Sequence, residues 1–96
     1  MGEQCVVVTG GSSGIGRACV EAVAASGTKV VNLDRKPADL VPGETFIELD
    51  LYDHGRIRDV FGDIAQTFDI VGLVNNAGMS LAKTLAETEA EDFAKV

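Results

Sequence analysis

The run Thr9-Gly10-Gly11-Ser12-Ser13-Gly14-Ile15-Gly16 constrains this chain more than any other stretch. The apolar run Cys5-Val6-Val7-Val8 precedes it, and Arg17-Ala18-Cys19-Val20-Glu21-Ala22-Val23 follows. The first reads as a buried strand and the second as a helix. Glycines let the backbone of the turn approach a ligand closely. The helix start presents unpaired N–H groups at the positive end of its dipole. Strand, turn and helix together can seat a phosphate.

The rest of the chain repeats the alternation. Gln4 to Val8 is strand one, apolar enough for burial on both faces. Helix one is expected from Gly14 to Ser26, with Ile15, Ala18, Cys19, Ala22, Val23 and Ser26 on one face and Gly27 as C-cap. Thr28 to Leu33 is strand two, ending at Asp34-Arg35. Lys36 to Gly43 holds Pro37 and Pro42 and reads as a loop. Thr45 to Leu49 is strand three.

From Asp53 to Phe68 the apolar positions Ile57, Val60, Phe61, Ile64, Ala65 and Phe68 follow a helical period. Gly62 within them costs about 1 kcal/mol relative to alanine, so it marks either close packing or a tolerated flaw. Ile70 to Val74 is strand four, followed by Asn75-Asn76-Ala77-Gly78. Met79 to Glu87 reads as a loop. Thr88-Glu89-Ala90-Glu91 has the form of a capping box, so another helix should start there. Strands alternating with helices imply right-handed crossovers and a doubly wound parallel sheet of Rossmann type, order 3-2-1-4. Residues 1–96 make one dinucleotide-binding domain on this reading.

Composition narrows the partners. The net charge of −7 argues against nucleic acid or an anionic membrane surface, although acidic surfaces are also common for solubility alone. No apolar run approaches the ~20 residues of a membrane span, and no secretory signal is visible. Cys5 and Cys19 have no metal-ligand spacing and read as core residues in a reducing, cytoplasmic setting. His54 is the only histidine, which leaves no zinc site, and it is expected on the surface.

The glycines Gly10, Gly14 and Gly16 are spaced T-G-x-x-x-G-I-G in the required strand–turn–helix context. Asp34 lies 18 residues after Gly16, at the end of the next strand. A carboxylate there accepts hydrogen bonds from ribose hydroxyls and repels a 2′-phosphate, which favours NAD over NADP. Arg35 pulls the other way, because a guanidinium can pair with that phosphate. The bland alternative is that the glycines only make a tight turn. A Walker-type loop needs Gly-Lys-Ser/Thr after the glycines, and this turn has none.

On these residues the chain resembles the short-chain dehydrogenases/reductases. The glycine-rich turn, Asp34, Asp50-Leu51 and Asn75-Asn76-Ala77-Gly78 appear in order, and they match the N-terminal, cofactor-binding part of that family. The resemblance implies an oxidoreductase moving hydride between a nicotinamide and an alcohol or carbonyl compound. It also implies roles. Backbone around Ser13, Gly14 and Ile15 would hold the pyrophosphate, and Gly10, Ser12 and Gly16 belong to the same cofactor-binding turn. Asp34 would bind the adenosine ribose, with Arg35 beside it in the cofactor site, and Asp50 and Leu51 would contact the adenine. Asn76, Ala77 and Gly78 would line the floor and steady strand four. Asp50 could instead cap the turn after strand three, and Asn75 and Asn76 could be turn-formers.

The family's chemistry rests on a Tyr-x-x-x-Lys pair and a serine. The single tyrosine, Tyr52, is followed four residues later by Arg56 and comes too early in the order of motifs. No catalytic residue is carried over. The expectation is therefore the front part of an oxidoreductase, its strand-four edge bare, which self-associates or belongs to something longer. The alternative is a non-catalytic NAD-binding or interaction fragment. A redox sensor related to the dehydrogenase fold is a third, weaker reading.

Overall fold

Strands buried on both faces need a helix on each side, and parallel pairing supplies it through the crossovers. A computed structural model describes residues 2–76. Along them run β1 (Glu3–Thr9), α1 (Gly14–Ala25), β2 (Lys29–Asp34), β3 (Glu44–Glu48), α2 (His54–Thr67) and β4 (Phe68–Asn75). The strands form one parallel sheet in the order β3-β2-β1-β4. The chain steps outward from β1 to β3 on one side and then returns to place β4 on the other, as in a Rossmann-type fold. The anticipated elements and strand order are those observed. Ala77, Gly78, the loop expected from Met79 and the helix expected from Thr88 lie outside the described residues.

The side chains of each central strand divide between two layers. Cys5 and Val7 of β1 join Val31 and Leu33 of β2 beneath Ile57, Val60 and Ile64 of α2, with Leu49 closing the cluster. Val8 and Val30 point the other way and meet Val20 of α1, with Cys19 and Val23 packed around them. Both cysteines are free thiols, and burial pushes the Cys5 thiol above its ordinary pKa. The fully buried β1 and β2 positions explain why valine dominates both strands.

Three sequence expectations need correction. The buried stripe of α1 is rotated from the one proposed: Gly16 and Val20 are buried, whereas Ala18, Ala22 and Ser26 are exposed and Ile15 is 76% exposed. The cause lies in the turn. A Cβ on Gly16 would collide with the Gly10 carbonyl oxygen and the Asn76 amide, so residue 16 must face the sheet and residue 15 cannot. The end of α2 also differs. Phe68 is extended and opens β4 opposite Glu3, so strand follows helix without a loop and begins before Ile70. Ala65, expected on the apolar face of that helix, is exposed.

Gly62 has open space where its Cβ would be, so it is tolerated and not closely packed. β4 carries an irregularity: Cys5 pairs with Ile70 but Val6 with Gly72, leaving Val71 as the extra residue of a bulge, 54% exposed. Within the described sheet β4 is an edge strand. Smaller differences are shifts of one or two residues, such as Ser26 rather than Gly27 at the C-cap of α1.

The rotated face of α1 has a direct test. Val20→Ala should lower the unfolding free energy by about 2 kcal/mol, and Ile15→Ala by no more than about 0.5 kcal/mol. Urea melts of the two variants beside the parent measure both.

Candidate functional site

The turn between β1 and α1 is held by the strands on either side of it. Gly10 and Gly14 have φ of +67° and +60°, a region that L side chains seldom enter. The Gly10 N–H donates to the Leu33 carbonyl at 2.8 Å, which ties the start of the turn to the end of β2. On the other side, Asn76 Nδ2 donates to the Gly10 carbonyl at 3.2 Å, and Asn76 N–H donates to Thr9 Oγ1 at 3.0 Å. Thr9 Oγ1 in turn donates to Asn75 Oδ1 at 3.2 Å. The ends of β1 and β4 are thereby joined below the turn.

The two helix starts differ. Asp53 caps α2 by accepting the Arg56 N–H at 3.2 Å. Ser13 stands at the N-cap of α1 but makes no side-chain hydrogen bond to the helix, and the first turn holds no acidic residue. Ser13, Gly14 and Ile15 are all exposed, and a Cβ at Gly14 would meet nothing within 4 Å. The N–H groups at this end are suited to an anion approaching from outside.

Asp34, at the end of β2, is bound to the same turn. Its Oδ2 accepts the Ser12 N–H at 3.0 Å and its Oδ1 accepts the Lys36 N–H at 3.2 Å. An open cleft of about 650 Å³ begins there, lined by Asp34, Arg35, Lys36, Glu48 and Asp50. Three carboxylates thus face two cations. Asp50 also caps the turn after β3, where its Oδ1 accepts the Tyr52 N–H at 3.0 Å. Leu51 packs its side chain against the cluster beneath α2 and does not line the cleft. Tyr52 is 77% exposed in the turn between β3 and α2.

A buried polar network behind the turn has only a faint trace in the sequence. The Glu44 side chain is fully buried at the start of β3. Arg17 of α1 grips it with both ends of its guanidinium, at 2.8 and 2.9 Å, and also donates to the Asp39 carbonyl at 2.7 Å. Glu44 further accepts from Asn32 Nδ2 and the Val41 N–H, each at 3.1 Å. Asn32 Oδ1 accepts the Gly11 N–H at 2.9 Å. Burial opposes ionisation of Glu44. The bonds from Arg17, Val41 and Asn32 outweigh that and hold its carboxyl below the usual range. The Arg17 pKa is raised, chiefly by its hydrogen bonds to Glu44. The legible sign was Asn32, an amide inside Val30-Val31-Asn32-Leu33. Nothing local to Arg17 or Glu44 points to the other.

Residues 4–96 match the short chain dehydrogenase family. The chain belongs to that family. It is 36% identical to dehydrogenase/reductase SDR family member 7B of Mus musculus, over 95% of this chain and 33% of that protein. Among solved structures of the family it is similar to the ligand-free aldohexose dehydrogenase of Thermoplasma acidophilum, with a TM-score of 0.73 and 33% identity over 81% of this chain and 31% of the other. It is also similar to a short chain dehydrogenase of Leptospira borgpetersenii with bound NAD+, with a TM-score of 0.67 and 26% identity over 82% and 33% of the two chains. The chain spans about a third of the length of these relatives. No helix among the described residues is long and apolar enough to cross a membrane, and no metal-binding cluster occurs among them.

The pair at Glu44 predicts how stability depends on pH. A carboxyl with a depressed folded pKa stabilises fully above its unfolded value of about 4.3, and that contribution is lost as pH falls through the folded value. Arg17→Met should cost about 3–5 kcal/mol at pH 7, because it leaves the carboxylate buried without its cation. The penalty should shrink as pH falls from about 4.3 toward the depressed folded value, where Glu44 becomes protonated and no longer needs that partner. Urea melts of parent and variant across pH 3 to 7 provide the comparison.

Proposed function

We propose that the chain is the NAD-binding part of an oxidoreductase that moves hydride between a nicotinamide and a small alcohol or carbonyl compound. One observation carries the reading. The Ser12 N–H on the Asp34 carboxylate sets a ribose acceptor directly beside a helix start suited to a pyrophosphate. The residues fit the group in shape as well, since open space lies before Gly14 and the adjoining cleft is polar.

On this reading the exposed backbone of Ser13, Gly14 and Ile15 receives the pyrophosphate, while Gly10, Ser12 and Gly16 shape the turn that presents it. Gly16 brings α1 close enough for its N–H groups to face it. Asp34 accepts from the ribose hydroxyls while keeping its bond to Ser12, because a carboxylate has about four acceptor sites. Asp50 and the backbone of Leu51 border the adenine, and Asn76 belongs to the floor; Ala77 and Gly78, expected beside it, lie outside the described residues. Bound there, the cofactor supplies the hydride acceptor or donor. Three carboxylates against two cations disfavour a dianionic 2′-phosphate, which supports NAD over NADP despite Arg35. A cytoplasmic setting and self-association along the β4 edge belong to the same proposal.

Fluorescence titration of the full chain tests it. NADH should bind more tightly than NADPH. Gly14→Val should weaken NADH at least about tenfold by filling the space before the helix start. Asp34→Ala should narrow the preference for NADH over NADPH by about tenfold. Unaltered NADH binding by Gly14→Val would overturn the site.

A further inference from the structure

Burying a carboxylate costs several kcal/mol, and a simple apolar contact between α1 and β3 would avoid that cost. What Glu44 does instead follows from its chemistry. An ionised carboxylate accepts hydrogen bonds and donates none. Whatever amide group faces it must present nitrogen. The group facing it is Asn32, whose Nδ2 lies 3.1 Å from Glu44 Oε2 and 3.1 Å from Ser12 Oγ. With its nitrogen fixed in that direction, Asn32 turns its oxygen to the Gly11 N–H, 2.9 Å away. The next residue, Ser12, gives its own N–H to Asp34. A reversed Asn32 amide would set N–H against N–H at Gly11 and release the turn on which Asp34 rests.

We propose that Glu44 is a positioning residue of the dinucleotide site, acting through the orientation of the Asn32 amide to hold Gly11 and Ser12 against Asp34. Arg17 keeps Glu44 in place and charged. The inference rests on the dinucleotide reading above for its consequence in affinity, but the coupling itself concerns the protein alone.

Glu44→Gln replaces an acceptor by a group that can face Asn32 either way. In the full chain it should raise the Kd for NADH about tenfold, one charge-assisted hydrogen bond in magnitude. It should also speed hydrogen exchange at the Gly11 amide about tenfold, while Val7 and Val31 stay protected. Ile64→Val, in α2, serves as a destabilised control with unchanged affinity. In the Asn32→Ala background, Glu44→Gln should change the Kd no further. All variants are compared in sucrose, which favours the compact state and keeps the weakest of them folded.

A Kd that tracks lost stability across all variants, or unchanged Gly11 exchange in Glu44→Gln, overturns the proposal. If the parent binds neither NADH nor ADP-ribose, the dinucleotide reading fails, and the exchange rates alone decide the coupling.

Discussion

The close approach of α1 to the end of β1 governs the rest of this structure. At Gly16 the helix lies against the Gly10 carbonyl, where even one added carbon does not fit. That contact decides which side of α1 meets the sheet. It therefore puts Val20 into the core and leaves Ile15 outside. It also aims the open helix start at the space above the strand ends, and it sets Arg17 where it can reach Glu44 across the mouth of the β2–β3 loop. Packing and site geometry have a common origin here, since the same tight turn serves both.

Around that turn the sheet supplies polar anchors at its carboxyl edge. Thr9, Asn32, Asp34 and Asn76 stand at or near the ends of three neighbouring strands, and each bonds to the turn or to its base. Among the described residues no buried side-chain polar atom lacks a partner, so the anchors form a satisfied set. A rigid turn of this kind loses little entropy when an anion settles on it.

Much of this was legible in the sequence, for physical reasons. The valine-rich runs could be buried only between two layers, and alternation with helices left one economical sheet order. The glycine spacing and Asp34 pointed to both halves of the candidate site because backbone chemistry ties them to fixed positions along the chain. The face of α1 was misread because apolar spacing alone allows neighbouring stripes, and the constraint that chose between them was the absence of a side chain at Gly16. The Arg17–Glu44 pair was invisible because it is a contact between a helix and a distant strand, with no local periodicity on either side. The bulge at Val71 had a weak sign in Gly72, an interruption in an otherwise apolar strand.

The loop between β2 and β3 bears on how members of such a family can diverge. Its first residues are tied by the Asp34 bond to the Lys36 N–H, and its last by Arg17 at Asp39 and Glu44 at Val41. Only the short arc over Pro37 and Ala38 runs between those fastenings. Length can be added there without loosening the clamp, whereas an insertion between Asp39 and Glu44 pulls apart the carbonyl and carboxylate that share one guanidinium. Variation that borders the cleft is thus channelled into a few residues, and the buried side of the same loop is closed to it.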